Sequence, residues 1–95
     1  MKITYYAIFQ YDNDGICISF PDIPCCLSCA DNFNQAIKMA TEALELTLHG
    51  LHIETLPKPS EYTLIKLSSN QKAFKIAVEL EVKNNILVCP NVNEI

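Results

Sequence analysis

Ninety-five residues, 49% of them hydrophobic and 19% charged, fit one folded domain over residues 1–95 and exclude a disordered tail. Eleven acids against seven basic residues give a net charge of −4, and none of the basic residues is arginine, so direct nucleic-acid binding through phosphate contacts is not expected. No apolar run approaches the roughly 20 residues that cross a bilayer, and the N-terminal MKITYYAIFQYDNDG is unlike a secretory leader, so a cytoplasmic protein without a membrane span is expected.

Residues 2–11, KITYYAIFQY, are β-branched and aromatic, which predicts a first strand. Asp12-Asn13-Asp14-Gly15 supplies turn chemistry, and ICISF (16–20) alternates, with Ile16, Ile18 and Phe20 on one face. The pair reads as a β-hairpin. The stretch FPDIPCC (20–26) then carries two prolines, an aspartate and two adjacent cysteines. Pro21 and Pro24 fix φ and hold their predecessors extended, while Asp22 is able to bond neighbouring N–H groups. This predicts a stiff structural corner built on Phe20, Pro21, Pro24 and Cys26, followed by a short third strand within Cys26–Ala30.

From Phe33 the apolar period becomes helical, at 33, 36, 37, 40, 43, 44, 48 and 51. Asn32 and Gln35 form a capping-box pattern, and Pro57 and Pro59 forbid continuation, so a helix over about 33–53 is predicted. Residues 54–72 read mostly as connection, with Leu64–Leu67 as a short strand or one helical turn. Lys72–Val82 alternates as a strand with Phe74, Ile76, Val78, Leu80 and Val82 inward, and Ile86–Cys89 adds a short tail strand. The order β-β-β-α-β predicts an α+β fold: an antiparallel sheet with one main helix on one face.

Chemistry finds little support. The five cysteines, without a secretory leader, read as reduced structural thiols. Cys26-x-x-Cys29 is half a zinc knuckle with no second half, and the helical pair His49 and His52 with Glu45 is a weak set of ligands, so no metal or cofactor is expected. No base stands at a recognisable spacing from a cysteine nucleophile. Asp12 and Asp14 in a turn and Asp22 in the corner do not provide the converging carboxylates of a two-metal nuclease. No catalytic residue is therefore assigned.

The helix offers a different feature. Phe33, Ile37, Ala40, Leu44, Leu48 and Leu51 form a core stripe, whereas Met39 and Leu46 point nearly the opposite way, among Lys38, Glu42, Glu45 and His49. An apolar pair ringed by acids suits a basic protein partner or a second copy. Both faces of the first strand are apolar, so the face without the helix needs cover from self-association or from a crossing tail.

Tyr5-Tyr6-Ala7-Ile8-Phe9, Asp12–Gly15, Phe20-Pro21-Asp22-Ile23-Pro24, Cys26, Ala30-Asp31 and the helical Ala36, Ala40, Glu42, Ala43, Leu44 together resemble the HicB antitoxin family over residues 3–58. Cys25 stands where that family usually has glycine, and Asn34-Gln35 replace its usual acids. The resemblance implies a truncated ribonuclease-H-like fold without catalysis. It also implies binding to a HicA-like toxin, a small basic protein that resembles a double-stranded-RNA-binding domain and cuts mRNA. Asp22, Met39, Glu42, Leu46 and His49 are the expected partner contacts. KNNILVCPNVNEI is too short for an appended DNA-binding domain, so operator binding is not expected. The alternative reading is a stand-alone homo-oligomer, dimer or tetramer, that keeps the fold without a toxin.

Overall fold

The computed structural model describes residues 1–90. It runs β1 (Lys2–Asp12), β2 (Gly15–Ser19), β3 (Leu27–Ala30), α1 (Phe33–Leu48), β4 (Gln71–Glu79), β5 (Glu81–Lys83) and β6 (Ile86–Val88), with single 3-10 turns at Ile53–Thr55 and Tyr62–Leu64. The first four strands form a sheet in the order β3-β2-β1-β4, antiparallel throughout, and β5 and β6 form a separate hairpin. The α+β class, the antiparallel sheet and the one main helix are those expected. No helix among the described residues is long and apolar enough to cross a membrane.

β1 is central, and its alternation decides what the sheet buries. Ile3, Tyr5, Ala7 and Phe9 enter the core with Ala36, Ala40, Leu44 and Leu48 of α1, while Tyr6 and Ile8 turn to the other face and are half-buried. The Tyr11 N–H donates to the Asn70 carbonyl (2.8 Å). Odd residues of β1 thus spend their peptide groups on β4 and even residues on β2. Pairing with β2 begins only at Ile8, so among the described residues the first half of β1 has no strand on that side.

The first hairpin closes as the sequence predicts, with Asp12 opposite Gly15. Gly15 has φ +137°, and a Cβ there would lie 2.6 Å from the Ala30 carbonyl oxygen, so both the conformation and the close approach of β3 demand glycine.

The corner resolves into two consecutive turns. The Ile23 N–H donates to the Phe20 carbonyl (3.0 Å) and the Cys26 N–H to the Ile23 carbonyl (2.9 Å). Each turn has proline as its second residue, where φ near −65° is already correct. Every third residue then points inward: Phe20, Ile23 and Cys26 are 1%, 5% and 1% exposed. The cysteine pair is split by this geometry, Cys26 in the core and Cys25 at the surface.

α1 starts as predicted. The Asn32 side chain accepts the Gln35 N–H (2.9 Å), and the Gln35 side-chain oxygen accepts the Asp31 N–H (2.7 Å), one residue before the cap. It ends at Leu48 rather than at 53. Gly50 takes φ +88°, and the chain then exchanges helical bonds for pairing with β6. The Gly50 N–H donates to the Leu87 carbonyl, the Leu87 N–H to the Leu51 carbonyl and the Ile53 N–H to the Asn85 carbonyl, each 2.8 Å. Leu51 accordingly reaches the core from outside the helix. Phe33, expected inside, is 43% exposed, but its ring edge packs on Phe74 at 5.0 Å between centroids.

The predicted strand over Lys72–Val82 is broken at Leu80. Its N–H bonds the Met1 carbonyl (2.9 Å) and its side chain is fully buried. Val82 belongs to β5 and is 41% exposed, not inward. Asn84 and Asn85, at φ 55° and 66°, make the tight turn to β6. Leu64–Leu67 contributes no strand; the helical turn lies at Tyr62–Leu64.

Gly15→Ala is expected to cost at least about 1–3 kcal/mol from backbone strain, with an added clash. Gly50→Ala, whose new Cβ meets nothing within 4 Å, is expected to lose only the positive-φ term. Urea unfolding of the two variants checks the order; equal losses would contradict the role given to the Ala30 approach.

Candidate interaction surface

The residues that sequence reasoning groups as partner contacts separate into two sets. Met39, Glu42 and Leu46 lie together on the outward side of α1, where they meet Cys25, Leu27 and Ser28 across an open groove of about 310 Å³. Leu46 and Leu27 are 69% and 67% exposed and stand on opposite walls. Met39 does not point freely outward as expected: it is half-buried and packs against the core, forming the groove floor. Glu42 is exposed at the rim. An apolar floor, two exposed leucines and a carboxylate give this groove the composition of a contact site. Leu27 was not singled out from sequence, because a four-residue edge strand gives too short a period to show which side is wet.

Asp22 and His49 are engaged inside the molecule. Both Asp22 carboxylate oxygens accept from Ser60, one from its N–H (2.8 Å) and one from its hydroxyl (2.5 Å). The Tyr5 hydroxyl donates to the Pro57 carbonyl (2.5 Å), and Tyr62 packs on Tyr6 with centroids 5.6 Å apart. Residues 57–62 therefore form a strap. It passes from the helix side to the open face around the half of β1 that has no strand beside it, and it covers part of the apolar face that the sequence left exposed. The crossing tail offered as alternative cover ends in residues 91–95, outside the described residues. His49 is the C-cap of α1, and its Nδ1 accepts the Cys89 N–H (2.9 Å). The Cys89 thiol donates to Glu45 (3.5 Å), so both side chains anchor the β6 end to the helix.

The chemical alternatives meet geometric obstacles. Cys26 lies in the core and Cys29 on the exposed face, so Cys26-x-x-Cys29 does not converge. Burial pushes the Cys26 thiol up, which disfavours its thiolate. His52 lies beyond the end of α1, opposite Ile86, and does not share a helix face with His49. Asp12 and Asp22 are separated by the length of β2, on the order of 15 Å. Asp12, Asp14 and Asp31 border an open depression with Cys17 and Cys29. Among the described residues, no three His, Cys, Asp or Glu side chains are grouped to hold a metal ion.

Over residues 5–88 the chain matches the family described as HicB-like antitoxin of bacterial toxin-antitoxin system. A Haemophilus phage HP1 (strain HP1c1) protein, known as an uncharacterized 14.9 kDa protein in the rep-hol intergenic region, is 35% identical over 75 residues, or 77% of this chain. Those residues are 54% of the phage protein, so the chain spans about half the length of that relative. A chain of a toxin-antitoxin complex from Streptococcus pneumoniae superposes with a TM-score of 0.71 at 23% identity, covering 83% of this chain and 70% of that one. That likeness shows a common fold.

Two outcomes test the strap. Asp22→Ala is expected to lower stability by about 1–3 kcal/mol, and Asp22→Ala with Ser60→Ala to cost less than the sum of the single variants in denaturant unfolding; additive losses would dissolve the clamp. Burial, and then the charge of Asp22, holds the Tyr5 phenol above its ordinary 10.0. Its contribution is complete below pH 10 and is lost as pH rises through the raised value. Tyr5→Phe should therefore flatten the alkaline fall in melting temperature; an unchanged alkaline limb would refute that assignment.

Proposed function

As a member of the HicB-like antitoxin family of bacterial toxin–antitoxin systems, the chain, we propose, neutralises a HicA-type mRNA-cleaving toxin in the cytoplasm by protein–protein occlusion, with no catalysis of its own. The observation that carries this is the groove between α1 and β3. Leu46 and Leu27 are exposed far beyond what packing requires, Met39 floors the space between them, and Glu42 stands at the rim. Such a surface suits a partner that presents an apolar knob within a basic field. A toxin that binds RNA phosphates carries that field on the face it uses for substrate. Docking there hides the face and stops cleavage without altering a bond. The net charge of −4 favours the encounter.

The fold is read as a truncated ribonuclease-H-like sheet, in which the antiparallel β3-β2-β1-β4 order and the single helix remain and the converging carboxylates do not. Residues 1–95 act as one domain in this role. Within the proposed contact, Leu46 and Leu27 are the anchors, Met39 supports them and Glu42 supplies charge. Asp22 and His49 act indirectly, by holding the strap and the helix end.

A second reading rests on the sheet edges. The outer edge of β4 has no neighbouring strand among the described residues, so edge pairing of two copies supports a stand-alone homo-oligomer.

Co-expression with the product of the adjacent gene, expected to be a small basic protein, tests the first reading, scored by relief of growth arrest and by co-purification. Leu46→Asp is expected to weaken the complex at least about tenfold while leaving the melting temperature of the free protein unchanged. A toxin that stays active and unbound beside the wild-type protein would defeat the proposal, and a stable dimer or tetramer by light scattering in that case would favour the second reading.

A further inference from the structure

Cys17 in β2 and Cys29 in β3 stand directly opposite one another, and both thiols are free and exposed. The kind of pairing follows from β1. Because the Tyr11 N–H is spent on Asn70, on the β4 side, Gln10 turns its peptide groups toward β2 and forms the hydrogen-bonded pair with Cys17. Cys17 then has no peptide group left for β3. Cys17 and Cys29 are a non-hydrogen-bonded pair, the class whose Cα atoms lie about 4.5 Å apart. Cα atoms joined by a disulfide lie roughly 4.4–6.8 Å apart. The side chains also emerge on the same side. Ile16, Ile18 and Ala30, which alternate with them along the two strands, are buried, so both thiols stand on the open face.

We propose that Cys17 and Cys29 form a dithiol site that closes to a cross-strand disulfide when it meets a low-molecular-weight disulfide oxidant. One cysteine thiolate attacks a sulfur of the oxidant, forming a mixed disulfide and expelling one small thiol. The other thiolate then attacks the protein sulfur of that mixed disulfide and expels the second small thiol. The protein loses two protons and two electrons, and the oxidant leaves as two thiols. The Cys17 thiol donates to the Asp12 carboxylate at 3.6 Å. Desolvation first, then that hydrogen bond and the charge of Asp12, raise the Cys17 thiol above its usual range. This keeps it protonated and assigns the opening attack to Cys29. The acids Asp12, Asp14 and Asp31 border the same depression and favour a cationic oxidant. Closing the bond ties the four-residue edge strand β3, and with it the Leu27 wall of the groove, covalently to β2.

The test treats the reduced full chain with cystamine, a cationic disulfide, and maps the product by peptide mass spectrometry. The expected result is a monomer whose Cys17 and Cys29 peptides are joined with the loss of two hydrogens, formed equally well by Cys25→Ser. Cys17→Ser should stop at a mixed disulfide on Cys29, whereas Cys29→Ser, left with the thiol that Asp12 keeps protonated, should react more slowly and form no internal bridge. The bridged form should melt higher than the reduced form by on the order of 5–10 °C. A mixed disulfide that persists on Cys17 or Cys29 of the unaltered chain, a bridge through Cys25, a disulfide-linked dimer, or a bridged form that melts no higher would each overturn the proposal.

Discussion

The register of β1 between its two neighbours constrains most of what else the molecule can do. A shift by one residue would send Tyr5, Ala7 and Phe9 away from α1 and bring Thr4, Tyr6 and Ile8 under it. Nothing local in KITYYAIFQY opposes that shift strongly, since both alternating sets are apolar enough to bury. The register is set instead at the ends. The turn that requires Gly15 opposite Asp12 fixes β2. The Tyr11–Asn70 bond at one end of β4 and the Met1–Leu80 bond at the other fix β4. With those positions held, the sheet has one face for the helix and one for the strap, and Cys17 and Cys29 are brought level.

The groove and the strap follow from that division. α1 lies across the odd-numbered side of β1 and also against β3, so the outward residues of its middle turns border an edge strand instead of open solvent. A half-sheltered cleft results from what would otherwise be a plain polar helix face. The corner matters here as a spacer. Two turns in succession, each with proline as its second residue, drop Phe20, Ile23 and Cys26 into the core and swing β3 back to pair with β2. They also set the Asp22 carboxylate where Ser60 reaches it, so one stiff segment positions both the groove wall and the strap anchor.

Local chemistry made the hairpin, the corner, the helix start and the α+β layering legible, because each is written in neighbouring residues: Asp12 to Gly15, Pro21 with Pro24, Asn32 with Gln35. Features that depend on distant partners were not legible. α1 stops at Leu48 because residues 50–53 pair with β6, roughly thirty-five positions later in the chain. The alternation through Val82 continues past the true strand end because Leu80 turns on a bond to Met1. Asp22 and His49 look like free polar groups until Ser60 and Cys89 come into view. Among the candidate contacts, Met39, Glu42 and Leu46 were readable as a cluster because one helix carries all three. Leu27, on the other wall, comes from an element with no periodic signal.

The strap has a consequence for solubility. Among the described residues, the first half of β1 leaves the peptide groups of alternate residues without a strand partner, the kind of exposed backbone that recruits a second chain and begins aggregation. Residues 57–62 lie over that opening, and two of them, Pro57 and Pro59, lack an N–H. A segment so built shields the edge yet is a poor template for a further strand, so the cover does not become a new place for chains to stack.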